Sequence, residues 1–322
     1  MVLFSILSKP DCIKLFSFQV RWVKNDLLKS VDEKIGAPLL SEILDIQGIR
    51  FADVEGVEAA KKALEETVIL PALNPALFSG LRQPVQGILL FGPPGNGKTM
   101  LARALAAECG STLFLNVSAA VLTSKWVGEA EKIVRALFQI ARNGQPSIIF
   151  IDEIDSVLCE RTEKETEVSR RLKTEFLIQM DGIRTSDKDR LLVIGATNRP
   201  YDLDSAVLRR FPKRILVDLP DDETRSKLII SLLQKNKTNF DLSSSGLRDL
   251  VKHTEGYSNS DLVALCREAA MIPIRELSRS ELESASESQL RSIRRADFDS
   301  ALKSVKPSTS LYNKKISPTV NS

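Results

Sequence analysis

The sequence predicts an α/β fold: a parallel sheet flanked by helices and carrying a phosphate-binding loop, followed by a small helical domain. Three observations carry that reading. Five short apolar runs, at 88–91, 113–117, 148–151, 191–196 and 214–217, alternate with helical patterns, notably at 130–141 and 169–180. Strands that alternate with helices build a parallel sheet covered on both faces, with ligands bound at the carboxyl ends of the strands. The first run leads directly into Gly92-Pro93-Pro94-Gly95-Asn96-Gly97-Lys98-Thr99, which fits G-x-x-x-x-G-K-[ST] at every fixed position. After Pro220 the strand pattern stops, and 224–234, 246–253, 258–270 and 296–305 read as helices with no strand between them.

Composition sets the bounds. Of 322 residues, 43% are hydrophobic and 27% charged, which suits one large core and a smaller one. A net charge of +3 gives no argument for nucleic acid as a partner. Cys12, Cys109, Cys159 and Cys266 are scattered without a C-x-x-C pair and read as reduced thiols, not as a disulfide frame or a zinc site. His253 is the only histidine, so no His-based metal site is available; it reads as a helix-surface or packed side chain.

Along the chain, residues 1–30 form an apolar and basic leader, broken by Lys9-Pro10-Asp11 and carrying Lys14 and Arg21. No segment is long and apolar enough to span a bilayer as a helix. A disordered or mis-started leader is the first reading of it, and membrane contact by 1–23 the second. Over 31–50, Val31, Ile35, Leu39, Leu40, Ile43 and Leu44 recur near helical spacing and suggest an amphipathic linker helix. The large domain runs from 51 to 219, and its first helix, 61–69, is ended by Pro71 and Pro75. The helical domain covers 220–306, with Ser258-Asn259-Ser260-Asp261 as a capping-box start. The stretch 278–289 is rich in Ser and Glu and reads as exposed; the tail 307–322 reads as frayed.

The chemistry sits at strand ends. In the loop, Gly92, Gly95 and Gly97 let backbone N–H groups close on phosphate oxygens, with Pro93, Pro94 and Asn96 between them and Met100 just inside the helix that follows. Lys98 is expected to reach the β- and γ-phosphates and Thr99 to ligate Mg²⁺, so the chain is expected to bind a nucleoside triphosphate. A Gly/Pro turn with a surface lysine is the bland alternative, and the flanking strand and helix argue against it. The run ending in Asp152-Glu153 puts two carboxylates one βα unit beyond the loop: Asp152 to hold Mg²⁺ through water, Glu153 to polarise the attacking water. Asn198 ends the next strand, where its amide can orient that water, although an Asn there is also a common turn former. Arg209 and Arg210 follow a short helix; a surface arginine pair is usually solvated, but such groups also act on a neighbouring subunit's phosphoryl group. Lys125-Trp126-Val127 lies between a strand and a helix, and on composition alone Trp126 favours half-buried packing.

Taken together, these residues resemble those of the AAA ATPases, and within them the meiotic clade of katanin, spastin and fidgetin, most strongly the spastins. The likeness covers about residues 31–306 and includes 92–101, 118–120, 146–155, 159–161, 169–177, 195–200, 206–211, 256–262 and 273–277. The resemblance implies an ATP- and Mg²⁺-dependent homo-hexamer, cytoplasmic and on microtubules, that pulls tubulin C-terminal tails through a central pore and severs microtubules. It also implies residue roles. Lys98 and Thr99 bind ATP·Mg²⁺, Asp152 and Glu153 serve metal and water, Asn198 is the sensor, and Arg209 and Arg210 are fingers reaching the neighbour's ATP. Lys125, Trp126 and Val127 form the first pore loop, which reverses the packing reading of Trp126, and 160–169 with Arg161 form the second. Residues 51–56, with Val54 and Gly56, and 256–258, with Gly256 and Ser258, flank adenine and ribose.

Four features depart from the spastin pattern. Trp126 stands where spastins usually have Tyr, and Ala130 replaces a Gly, with strain expected if that position needs φ > 0. Glu163, Glu165 and Glu167 make the second pore loop acidic, and Lys306-Pro307-Ser308 breaks the last helix. The rivals are another AAA remodeller, extracting membrane proteins or disassembling ESCRT filaments, and a non-severing binding module.

Overall fold

The computed structural model describes residues 26–40, 49–109, 112–124, 130–159, 167–184, 190–236, 238–284 and 290–308. The chain divides into two compact units: one holding Met1–Phe51, Ala63–Phe91 and Ala102–Ile215, the other Ala52–Lys62, Gly92–Leu101 and Leu216–Ser322.

The first unit is built on the expected parallel sheet. Strands β1 (Gly87–Phe91), β2 (Leu113–Ser118), β3 (Ser147–Asp152), β4 (Leu191–Thr197) and β5 (Lys213–Leu216) lie in the order β2-β3-β4-β1-β5. The pairs β2–β3, β3–β4 and β1–β4 are parallel, with Ile151 opposite Gly195 and Phe91 opposite Thr197. All seven residues of β4 are buried, as a central strand covered on both faces requires; at the edge, β5 buries only Ile215. Ahead of the sheet in sequence come α1 (Glu33–Leu40) and α2 (Glu58–Leu64); between its strands come α3 (Lys98–Glu108), α4 (Ala119–Ser124), α5 (Ala130–Asn143) and α6 (Glu167–Arg184), with α2 and α3 each carrying residues of both units.

Helix α5 buries Ile133, Val134, Leu137, Phe138, Ile140 and Ala141, one helical face. It meets Leu172, Phe176, Met180 and Ile183 of α6, which recur at helical spacing, with Phe138 edge-on to Phe176 at 5.7 Å. The pair is pinned at its rim by Arg135, whose guanidinium grips Glu175 at 2.8 Å and holds that carboxyl below its ordinary value.

The structure corrects three expectations. Leu27, Ile35, Leu39 and Leu40 belong to the same buried cluster as α5, and Asn143 donates its side-chain amide to the carbonyls of Leu27 and Lys29. The amphipathic segment is therefore part of the core of the first unit; Ile43 and Leu44 lie outside the described residues. Pro71 does not end the helix that starts at Glu58. A π-turn, Glu65–Ile69, leads into Leu70–Leu73 with Pro71 in its first turn, where a missing N–H costs nothing, and Asn74 closes it. The helical domain does contain strand: β6 (Phe240–Asp241) pairs in parallel with β7 (Ile293–Arg294).

In the second unit, α7 (Asp222–Lys235), α8 (Ser244–His253), α9 (Asn259–Arg275) and α10 (Arg295–Ser304) enclose a core of Ile229, Leu250, Leu262, Leu265, Ala269 and Phe298. Arg291 stitches the end of α9 to the start of α10. Its guanidinium bonds Glu276 through Nε (2.7 Å) and Asp297 through Nη1 and Nη2 (2.7 and 2.9 Å). Asp297 also accepts the Arg294 N–H at 2.8 Å.

Two predictions follow from this packing. A Cβ on Gly87 would sit 2.1 Å from the Arg210 carbonyl oxygen, a backbone atom that cannot swing aside. Gly87→Ala is expected to destabilise the protein by about 1–3 kcal/mol, read as a lowered Tm. Arg291 holds the carboxyls of Asp297 and Glu276 below their ordinary values. Depressed carboxylates stabilise the fold above their unfolded pKa of about 4, and that contribution is lost as pH falls through the folded value. Arg291→Ala should therefore melt lower at about pH 7 and lose less Tm than wild type on going to about pH 3.

Candidate nucleotide site

The loop at 92–97 leaves β1 and enters α3, as the sequence predicts. Its three glycines are all left-handed: φ is +143° at Gly92, +80° at Gly95 and +82° at Gly97. At Gly92 a Cβ would also lie 2.3 Å from the Val217 carbonyl oxygen. This is a backbone that only glycine adopts without strain, and it frees successive N–H groups to face an anion. Lys98 is 7% exposed, and its ammonium donates to the carbonyls of Gly92 (3.0 Å) and Pro93 (2.9 Å). Asn96 is buried and accepts the Asn259 N–H. Thr99 lies in the first turn of α3, and Met100 beside it is exposed.

The expected adenine- and ribose-flanking residues lie in the same second unit. Val54 is buried; Gly56 (φ +72°) packs against Thr224, where a Cβ would be 2.4 Å from the side-chain methyl. Gly256 (φ +78°) precedes Ser258, which is buried and caps α9, with both halves of the capping box formed with Asp261.

In the first unit, Asp152 is the last residue of β3, and its Oδ1 accepts the N–H of Glu153 at 2.9 Å. Glu153 is exposed with φ +50°, left-handed without being glycine. Such a conformation costs about 1–3 kcal/mol and persists only where the surroundings enforce it. Here Ile154 N–H is tied to the Ala196 carbonyl (3.0 Å), Ser156 Oγ to the Glu153 carbonyl (2.8 Å), and Thr197 Oγ1 to Asp155 Oδ1 (2.6 Å). Asn198 follows β4, and its Oδ1 is buried with no hydrogen-bond partner. Arg103 Nε, Arg225 Nε, Asn259 Oδ1 and Arg295 Nε are buried without a partner among the described residues in the same way.

The two arginines differ. Arg210 is bound by Asp181 through Nε (3.0 Å) and Nη2 (2.6 Å) and by the Ala206 carbonyl, whereas Arg209 is exposed and its guanidinium makes no bond among the described residues. Lys125, Trp126, Val127, Arg161, Glu163 and Glu165 lie outside the described residues. Glu167 opens α6, exposed and paired with Arg171. Ala130 opens α5 and is not among the left-handed residues, so the expected strain does not arise there. Burial pushes the Cys266 thiol up to about 12; burial and the Glu108 carboxylate push Cys109 up to about 11, so neither is a thiolate nucleophile. His253 lies exposed on α8, as expected.

Sequence reasoning missed Asp155, Thr197 and Asp181. The D-E-x-D spacing at 152–155 was visible, but Thr197 becomes its partner only through the β3–β4 register.

The donor set fits the expected ligands. Glycine N–H groups and a buried lysine suit phosphate. The Thr99 hydroxyl of the second unit and the Asp152 carboxylate of the first are each the kind of oxygen ligand that Mg²⁺ takes. Among the described residues no group of three or more His, Cys, Asp or Glu could hold a metal by itself.

A family model described as the ATPase family associated with various cellular activities (AAA) matches residues 88–219, and an AAA+ lid domain model matches 246–296. Two crystal structures of the FIGL-1 AAA domain, one in complex with ADP, match with TM-scores of 0.80 and 0.79 at 47% and 46% identity. They cover 89% and 90% of this chain and 94% and 98% of those chains. The chain belongs to the AAA ATPase family. This AAA ATPase is 70% identical over 286 residues to a protein named a probable spastin homolog from Brugia malayi, covering 89% of this chain and 63% of the relative. It is 63% identical over 284 residues to the spastin homolog of Caenorhabditis elegans, covering 88% and 55%. The chain thus spans about half to two thirds of those relatives. Among the described residues, no helix of the AAA ATPase is long and apolar enough to cross a membrane.

Proposed function

We propose that this AAA ATPase is a spastin-type motor that severs microtubules. Six copies form a ring, ATP is hydrolysed where neighbours meet, and the ring pulls tubulin C-terminal tails through its centre. The observation that carries this reading is the 70% identity with a relative named a probable spastin homolog. The phosphate loop and the unequal arginines support the mechanism.

In this mechanism the N–H groups of 92–97 and the Lys98 ammonium hold phosphate oxygens, while Val54, Gly56, Gly256 and Ser258 border the base and sugar. Thr99 and Asp152 would hold Mg²⁺, which when bound would neutralise charge on the phosphates. Glu153 accepts a proton from the attacking water, and its strained backbone fixes where the carboxylate stands. The Asn198 amide orients that water. Arg209 extends to the neighbour's ATP and stabilises the charge developing on the transferred phosphoryl group. Arg210, gripped by Asp181, sets the turn from which Arg209 projects. Lys125, Trp126, Val127 and Arg161 grip the translocated tail, and Trp126 supplies the broad apolar face.

ATP turnover measured against enzyme concentration, with and without microtubules, tests the reading. It should rise steeply with concentration and rise further with microtubules, alongside visible severing. Turnover without microtubule stimulation would assign the chain to another remodeller.

Glu153→Gln should still bind ATP and lose about 10²–10⁴-fold in turnover. Normal turnover in that variant removes Glu153 from its role. Arg209→Ala should lose about 10³-fold in kcat at unchanged Tm. Arg210→Ala should lose both turnover and thermal stability, because Asp181 is left without its partner. Equal Tm for the two variants would contradict the division of labour between them.

A further inference from the structure

Residues 257–261 join two parts of the second unit that are far apart in sequence. On one side they hold the phosphate loop. The Ser260 N–H and Oγ both donate to the Gly95 carbonyl (3.0 and 3.1 Å), and the Asn259 N–H donates to Asn96 Oδ1 (3.2 Å). On the other side they hold the chain just beyond α10. Tyr257 Oη donates to the Val305 carbonyl (2.7 Å), and the Ser308 N–H and Oγ donate to Oδ2 of Asp261 (3.2 and 3.0 Å). That same Oδ2 accepts from the N–H and Oγ of Ser258 (2.9 and 2.8 Å). Four donors converge on one oxygen of a side chain only 8% exposed.

We propose that Asp261 is a positioning residue for nucleotide binding, coupling the seating of residues 305–308 to the grip of Asn259 and Ser260 on the phosphate loop. The proposal rests on the reading of 92–99 as a phosphate loop. Asp261 closes the capping box at Ser258, and the next two residues are the ones that bond Gly95 and Asn96. A loop whose carbonyl and side chain are already tied keeps its N–H groups aimed. A loop released from that tie must be ordered by the ligand, and affinity falls. Since Ser308 shares the oxygen that holds Ser258, loosening 305–308 loosens the cap, and the linkage runs both ways. A nucleotide that favours the gripped loop must favour seated 305–308 by the same free energy. The chain that continues from Ser308 is thereby placed to report, or to set, nucleotide occupancy.

The test uses the full chain and a fluorescent ADP. Asp261→Ala should weaken binding about 10-fold, within the usual range for coupled sites. Ser308→Asp, at an exposed residue whose change leaves the core intact, sets a second carboxylate against Asp261 and should weaken binding about fivefold. In the Asp261→Ala background Ser308→Asp should add nothing, because the two act through one oxygen. A residue that only stabilised the fold would not move the next readout. ADP should slow hydrogen exchange at the Ser308 amide in wild type and leave it unchanged in Asp261→Ala. Wild-type affinity in Ser308→Asp, or Ser308 exchange indifferent to ADP in wild type, overturns the proposal. Wild-type protein that fails to bind ADP overturns the phosphate-loop reading itself, and this inference with it.

Discussion

The nucleotide chemistry of this chain depends on one backbone constraint. The connection between β1 and α3 must turn its amide protons inward over six residues, and three of them must be left-handed to do so. Each glycine has a further reason. Gly92 leaves no room before the Val217 carbonyl, and Gly95 approaches Ser258 Oγ so closely that a Cβ would lie 2.8 Å away. At Gly97 the space is open and the conformation alone makes the demand. The buried Lys98 ammonium is the counterpart. An ammonium out of water is costly unless it is hydrogen-bonded, and here the loop's own carbonyls supply the bonds. The loop therefore carries both the cation and the donors before any phosphate arrives.

The same logic of local cost and distant compensation recurs at the sheet edge. Glu153 occupies a conformation that its type does not favour, and three hydrogen bonds, one within the turn and two to β4, hold the turn around it. Two of those bonds come from β4, one through the Ala196 carbonyl and one through the Thr197 hydroxyl. The hydroxyl also accepts the Arg199 N–H. The backbone on either side of Asn198 is thus fixed by the atoms that fix Glu153, so the two side chains proposed to act on water share a common frame, while the Asn198 oxygen has no partner among the described residues.

What was legible in the sequence follows from range. Each strand of the five-stranded sheet is legible to within a residue or two at its ends because continuous apolar runs mark buried parallel strands. The capping box at Ser258 and the glycine spacing are local and were equally plain. The missed features depend on neighbours chosen by the fold. Pro71 looked like a helix stop because its place in a first turn depends on the π-turn before it. The β6–β7 bridge has two residues per strand, too few for any periodicity to register. The docking of Ile35 and Leu39 on α5 is hidden for the opposite reason: their spacing announces an amphipathic helix but not which surface it covers.

The unequal arginine pair shows the same limit and what the structure adds to it. Adjacent arginines look interchangeable in sequence, yet the fold gives the two guanidiniums different partners. Asp181 holds that of Arg210 with two bonds, and the Ala206 carbonyl takes a third. The short helix Ser205–Leu208 that leads into both residues is capped at its start by Asp204, which accepts the Ala206 N–H at 2.8 Å. A group that acts on a neighbour's phosphoryl must be exposed in the isolated chain and yet aimed, since a freely swinging side chain would lose rotamer entropy each time it engaged. In the proposed ring, an anchored Arg210 directly after an exposed Arg209 meets both demands: Arg210 fixes the backbone, and the Arg209 guanidinium, which makes no bond among the described residues, keeps its donors to offer.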